Sequence, residues 1–417
     1  MRRNRFHRRA HKFRRRRSFK QSQWWPFFLI FCLALAALSL FALVAYVALP
    51  QASEWLGFSY RAPFLPELTP APTPRPTPTP HPITYFNPTE NTHEMVFDGY
   101  SDYRWFADPY IYQDRMIVSA GQLDENSQDV HLLHMYWYDT QTQSAQRLPI
   151  SPQNVHFMFP KFNDSWLVYL DANLDGGGAI MAVDLTADTM TPVKVKDIYV
   201  GQPEPMLDGN YVAFMDRTGT KKEKLFVFDL STMESTVVEM FSGTVYGQSK
   251  PSLQDGRLLW AEPSSTQGDS DLSCIRYMQL GDVAPQRRQS GRTGIYTPGT
   301  LSTTPKHSGK YTAWLSDVHS SGTQLYGVVD LMGDPFLIDS GVVDFGIGTD
   351  FVAYSRTDAS VSPATEAIFL YMFETNSIYR LTQDYESAQL LGVSGDYVIW
   401  MDVTSRERDI VKYVKIP

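Results

Sequence analysis

The chain has 417 residues, 43% of them hydrophobic and 13% aromatic, with 23 Tyr, 24 Phe and 9 Trp, a composition that supplies a sheet core and favours strands over helices. Its net charge of −8 hides a division, because 11 of the 37 Lys and Arg lie between Arg2 and Lys20 while no Asp or Glu precedes Glu54, leaving 26 basic and 45 acidic residues for the rest. Two cysteines, Cys32 and Cys274, exclude a disulfide framework.

Residues 27–49 read FFLIFCLALAALSLFALVAYVAL, an uncharged run long enough to cross a bilayer as a helix, with Trp24 and Trp25 at one interface and Tyr46 near the other. A cleaved signal peptide is the competing reading, but its apolar region is shorter, and no small-x-small cleavage site follows here. Eleven basic residues stand just before the span, so the positive-inside bias places the amino terminus in the cytoplasm and everything after Pro50 outside. Phe6, Phe13 and Phe19 stand among these charges, but no folded basic module of a nucleic-acid reader accompanies them. The tail is therefore expected to act as a topology signal lying on anionic lipid headgroups, with no nucleic acid as partner.

Residues 70–82 read PAPTPRPTPTPHP. Prolines at alternate positions remove backbone donors and fix φ near the polyproline II value, so the stretch forms neither helix nor sheet. As a semi-rigid spacer at about 3.1 Å per residue it would span roughly 40 Å. The threonines could carry O-linked sugar and the prolines could bind a polyproline reader, but a plain stalk is the simpler role. The expected organisation is a cytoplasmic tail (1–23), a membrane helix (24–49), a juxtamembrane piece and stalk (50–83) and an extracytoplasmic body (84–417).

The body repeats. Segments 116–120 (MIVSA), 166–171 (WLVYLD), 211–216 (YVAFMD), 257–262 (RLLWAE), 311–316 (YTAWLS), 351–356 (FVAYSR) and 397–402 (YVIWMD) are versions of one strand, and their first residues lie 50, 45, 46, 54, 40 and 46 apart. A period of about 47 suits one four-stranded propeller blade. Each repeat opens with a short strand, often at a proline (Asp108-Pro109, Phe159-Pro160, Glu204-Pro205, Lys250-Pro251). A turn such as Asp208-Gly209-Asn210 leads to the recurring strand, and two further strands follow. The last repeat ends after its third strand, and 93–98 (HEMVFD) stands ahead of the first where a fourth strand would stand. Pairing the two closes the ring and removes an exposed edge. The expected fold is an all-β, seven-bladed propeller, with six blades as the alternative.

The hydrophobic-Asp-Leu turns Val183-Asp184-Leu185-Thr186 and Phe228-Asp229-Leu230-Ser231-Thr232, with the Asp-Gly turns and aromatic strands, resemble the TolB-like, WD-repeat-like branch of β-propellers over about residues 93–417. The resemblance implies an extracytoplasmic binding platform. It departs from TolB in having no mixed α/β domain before the propeller, and from prolyl oligopeptidase relatives in having no hydrolase domain after it.

No Gly-x-Ser-x-Gly elbow, His-Glu-x-x-His pair, Cys-x-x-Cys or phosphate-binding glycine loop occurs. His131 and His134, three apart on a strand, are expected on opposite faces, the wrong geometry for two metal ligands. Asp171, Asn173 and Asp175 match the front half of a calcium loop whose back half is missing, so a hairpin turn competes with calcium, and no other cofactor is expected. Acids after the recurring strand (Asp171, Asp216, Glu262, Asp317, Asp402) suggest either an acidic collar or ordinary turn chemistry. Around the mouth, Arg104, Trp105, Asp108, His156, Glu204, Lys250, Tyr296 and Asp344 stand at or just before first strands, where ligand-facing groups would converge. The leading reading is a membrane-anchored protein- or glycan-binding scaffold or sensor. The alternative is a glycosidase- or lyase-type enzyme using Asp108, Glu204 and Asp344.

Overall fold

The computed structural model describes residues 83–85, 92–95 and 105–417, apart from 124–129, 175, 218–221, 243–249, 264–272, 281–292, 296–300, 319–321, 332, 363 and 405–409, together with Ala37. The chain divides into two compact units, Met1–Thr77 and Pro78–Pro417; the apolar run 27–49 (Ala37 apart), the basic tail and the stalk 70–82 lie outside the described residues. Among the described residues no helix is long and apolar enough to cross a membrane.

The second unit is a seven-bladed β-propeller, which sets aside the six-bladed alternative. Its inner strands are Trp105–Tyr112, His156–Phe162, Met206–Asp208, Ser252–Gln254, Leu301–Ser308, Val342–Ile347 and Ala388–Ser394. Each turns back into a second strand, and these seven (Arg115–Leu123, Trp166–Ala172, Tyr211–Arg217, Arg257–Pro263, Tyr311–Val318, Phe351–Asp358, Tyr397–Asp402) contain the seven recurring segments of the sequence. The reason those segments are apolar at successive positions is that a blade's middle strands are covered on both faces by the neighbouring blades. In Trp166–Ala172 every residue after the first is buried.

Seven apolar clusters fill the seven gaps between blades. Ile117, Trp137, Phe157 and Tyr169 join blades 1 and 2; Tyr311, Leu325, Phe345 and Tyr354 join blades 5 and 6; Ile111, Tyr138, Ile399 and Tyr413 join blades 7 and 1, which makes the series a ring. The turns between inner and second strands add polar ties from blade to blade. Tyr112 donates to Asp164 (3.0 Å), Asn163 to the Gly209 carbonyl (2.8 Å), the Gly256 amide to Asp208 (2.5 Å), the Gly309 amide to Asp255 (3.2 Å), Thr349 to Asp396 (2.7 Å) and Tyr397 to Asp114 (2.7 Å). The Asp-Gly turns thus space the blades as well as reverse the chain.

The ring is closed by the start of the unit. Thr92–Glu94 pairs antiparallel with Ile410–Lys415, with His93 opposite Tyr413, and the Met95 amide donates to the Val411 carbonyl (2.8 Å). His93 stacks on Tyr413 with ring centroids 5.4 Å apart. A second closing strand was not foreseen: Ile83–Tyr85 runs parallel to Ser377–Arg380 and makes blade 6 five-stranded.

Candidate functional site in the axial channel

Five inner strands carry an X-Pro step within them or just ahead of them: Asp108-Pro109, Phe159-Pro160, Glu204-Pro205, Lys250-Pro251 and Thr304-Pro305, with prolines 51, 45, 46 and 54 residues apart. Proline has no N–H, so the ladder loses a rung there without stranding a donor. Asp108, Phe159 and Thr304 adopt left-handed φ values of 51°, 52° and 50°, a conformation costly for residues other than glycine. At each of them the pairing register slips, between Ala107 and Tyr110, Met158 and Lys161, and Thr303 and Lys306. Such bulges re-aim side chains. Blades 6 and 7 carry register shifts at the same depth without proline, between Val342 and Asp344 and between Leu390 and Gly392.

The result is a belt of charge at one depth. The two oxygens of Glu204 are divided between the Lys161 amine (2.9 Å) and the Lys250 amine (2.7 Å). Lys306 donates to the Phe345 carbonyl and stands 4.0 Å from Asp344. Asp108 accepts from the Phe159 amide (2.9 Å). Each lysine also lies over an aromatic ring: Lys161 over Tyr110 (4.9 Å), Lys250 over Phe159 (5.6 Å) and Lys306 over Phe345 (4.8 Å), contacts that favour a cation held away from bulk water. Lys161, Glu204, Lys250, Lys306 and Asp344 line a cavity of about 980 Å³ that extends to the inter-blade turns.

The acids and bases of this belt are pushed in different directions. Burial raises Asp108, only partly opposed by the Phe159 amide. Burial would also raise Glu204, but Lys161 and Lys250 outweigh it and hold that carboxyl well below the usual range. For Lys250, burial is outweighed by Glu204 and the amine is raised. Lys306 goes the other way: burial lowers it, and Asp344 and Glu204 compensate incompletely.

Of the eight residues expected at the mouth, Asp108, Glu204, Lys250 and Asp344 come together in this belt. Trp105 and His156 do not. They lie three and five residues upstream of Asp108 and Lys161 on strands that rise about 3.3 Å per residue, and they line a separate cavity of about 290 Å³ with Leu132, Met158 and Gln202. There His156 Nδ1 accepts from the Leu132 amide (3.2 Å). Arg104 and Tyr296 lie outside the described residues. Lys161 and Lys306 were missed; the signal available was the residue two beyond a left-handed bulge, in Phe159-Pro160-Lys161 and Thr304-Pro305-Lys306.

Three other expectations change. His131 and His134 pair with Gln122 and Ala120 across a register shift, and those partners are two apart, so the histidines share a face. Among the described acids after the second strand no collar forms: Asp171 and Asp216 are each 1% exposed, and Asp402 is paired with Lys412 at 2.8 Å. The side chains of Glu262 and Asp317 lie outside those described. Asp171 gives both carboxylate oxygens to the amides of Gln153 (2.7 Å) and Asn154 (2.9 Å), while the Asn173 amide donates to Gly177 across a turn of three positive-φ glycines. A Cβ on Gly178 would come within 2.0 Å of the Asp171 carbonyl oxygen, which is why glycine is needed there. Asp175 lies outside the described residues, among which no cluster of three or more His, Cys, Asp or Glu could hold a metal ion.

No family model matches the sequence, and no curated protein matches it. Solved structures match the fold. The β-propeller domain of the Trilobed protease from Pyrococcus furiosus, described with an open velcro topology, is 12% identical with a TM-score of 0.56, over 75% of this chain and 95% of that one. An acylaminoacyl peptidase in complex with Z-Gly-Gly-Phe-chloromethyl ketone is 11% identical with a TM-score of 0.56, over 77% of this chain and 53% of that one, so the chain spans about half of that enzyme. TolB from Acinetobacter baumannii is 14% identical with a TM-score of 0.39, over 74% of this chain and 78% of that one. The likeness to propeller proteins is one of fold.

Proposed function

We propose that the chain is a single-pass membrane protein, amino terminus in the cytoplasm, whose propeller stands outside and serves as a binding module for a protein or glycan partner. The observation that carries the binding part is the channel: six of the seven blades each send one charged side chain to the same depth, three of them from bulges whose left-handed residues cost stability. A ring already held by seven apolar interfaces gains little from this belt, whereas a ligand site needs convergent polar groups in a concave space. The membrane placement is supported by the apolar run 27–49, the basic residues before it, suited to anionic headgroups, and the proline-rich stalk. The first described strand, Ile83–Tyr85, joins the outer edge of blade 6, away from the axis.

The test is chemical crosslinking on intact cells expressing the full chain, with crosslinked sites mapped by mass spectrometry. The expected result is a surface partner whose crosslinks cluster on the loops around the channel. Labelling of the propeller only after the membrane is permeabilised would overturn the placement, and crosslinks confined to the perimeter would overturn the channel as the binding face.

A second reading draws on the opposite shifts of Asp108 and Glu204, one raised and one lowered, since separated carboxyl pKa values are how an acid and a base share a glycosidase or lyase site. It predicts cleavage of a glycan that is lost in both Asp108→Asn and Glu204→Gln. Cleavage that survives both substitutions would remove it.

A further inference from the structure

The layout of charge within the channel specifies a class of ligand, an inference that rests on reading the channel as a binding site. The cavity of about 980 Å³ joins two zones. Inward of the inter-blade turns lie the ammonium groups of Lys161, Lys250 and Lys306, the deep zone; the turns themselves bring Asp114, Asp164, Asp208, Asp255 and Asp396, the rim. Lys161 and Asp164 are three residues apart along one strand and turn, so at about 3.3 Å per residue the zones are separated by roughly 10 Å.

Counter-charge in the deep zone is unequal. Glu204 serves Lys161 and Lys250 at hydrogen-bonding distance. Lys306 has, among the described residues, the Phe345 carbonyl and ring and the Asp344 carboxylate at 4.0 Å, too long for a hydrogen bond. That Asp344 oxygen already accepts from the Phe345 amide (2.7 Å), and Asp108 is turned to the Phe159 amide. An ammonium carries three donors, so Lys306 holds unmet capacity for an anion, and its lowered pKa agrees. The rim is the reverse case. Its aspartates each accept a hydrogen bond from a neighbouring blade and border the same cavity, Asp114 standing also 3.6 Å from Lys415.

We propose that the channel binds a small dipolar ligand, with its oxyanionic end against Lys306 and Lys250 and its cationic end among the rim aspartates. A simple anion meets the rim carboxylates, and a simple cation leaves Lys306 without a hydrogen-bonded counter-ion; a molecule bearing both groups a few bonds apart satisfies both zones.

Isothermal titration of the purified full-length chain at low salt tests this with ε-aminocaproate, caproate and hexylamine, which share a carbon skeleton and differ in their charged ends. The expected result is saturable binding of ε-aminocaproate about tenfold or more tighter than either single-ended probe. Lys306→Gln and Lys250→Gln should each weaken it about tenfold, the worth of one charge-assisted hydrogen bond, and Lys194→Gln, on an outer strand, should leave it unchanged. Melting curves establish that each variant is folded; should Lys306→Gln fail, the half-exposed Lys250 decides. Absence of saturable binding, hexylamine binding as tightly as ε-aminocaproate, or undiminished affinity in Lys250→Gln would overturn the proposal. A surface partner captured despite such a result leaves the binding-module reading standing, and probe binding without any surface partner overturns that reading alone.

Discussion

Replacing Glu204 by Gln removes one charge from the channel at nearly constant volume, and the surroundings set the cost. Glu204 is 14% exposed and Lys161 17%, while Lys250 is 52% exposed. Removing one partner of a buried pair costs about 3–5 kcal/mol, because the other charge is left uncompensated. Lys250 can hydrate instead, so its share is about 0–1 kcal/mol, as for surface pairs. The glutamine carbonyl still accepts one hydrogen bond from Lys161, returning about 1 kcal/mol, and the net loss comes to about 2–5 kcal/mol. The sign of the pH dependence follows from the depressed carboxyl. Folded Glu204 binds a proton less readily than the unfolded chain, whose carboxyl titrates near 4.5, so its contribution is complete above that pH and fades as the pH falls below it. Urea unfolding of wild type and variant near pH 7 and again near pH 3.5 measures both quantities. A gap under about 0.5 kcal/mol near neutrality, or one that does not shrink on acidification, would refute the account of the belt.

Deleting residues 92–95 exposes the outer edge of Ile410–Lys415 and loses the His93–Tyr413 stack; amide exchange should accelerate across that strand and not in Trp166–Ala172, and equal rates would show that the closing strand is dispensable. Arg380, 1% exposed and bonded to Asp358 and Asp384 at 2.8 Å each, should cost about 3–5 kcal/mol when changed to Met, with part recovered when Asp358→Ala is added, read from urea midpoints. His307 Nε2 accepts from Arg257 (2.8 Å), so its proton sits on Nδ1 and is donated to Thr312 (2.8 Å). Burial, aided by Arg257, lowers its pKa from 6.5 to about 4. The unfolded chain therefore binds the extra proton first as the pH falls through that window, and up to about 3 kcal/mol of stability is lost; His307→Gln should flatten this slope in the same assay.

The ring was legible because its strongest constraint acts on side chains close in sequence. A middle strand covered on both faces must be apolar at nearly every position, and that pattern recurs in the seven second strands whatever their loops do. The closing strand could be read too, since 93–98 precedes the first repeat at the offset of a fourth strand, and Thr92–Glu94 pairs with Ile410–Lys415. Ile83–Tyr85 could not, because three residues at an outer edge carry no pattern that distinguishes them from the stalk. The site was half legible for a related reason. Alternation by two places side chains correctly only where no residue is inserted, and the register shifts beside Lys161, Lys306 and His134 break that count. Choosing residues at or just before the first strands therefore left out Lys161 and Lys306, which stand beyond the inserted residues, and alternation put His131 and His134 on opposite faces.

Those same insertions bear on why the belt exists. Most left-handed residues other than glycine, such as Gln113, Asp255 and Asn376, stand at hairpin turns, where the conformation is ordinary. Asp108, Phe159 and Thr304 stand within inner strands, where it costs on the order of 1–3 kcal/mol and survives only if the surroundings over-determine it. Blades 3 and 4 bring Glu204 and Lys250 to the same depth without such a residue, so the propeller can be built without the strain. Left-handed strain repeated in three blades, each time beside a channel charge, is what a requirement for a particular arrangement of charge would leave behind; the register shift of blade 7, which sends no charge, carries no such residue.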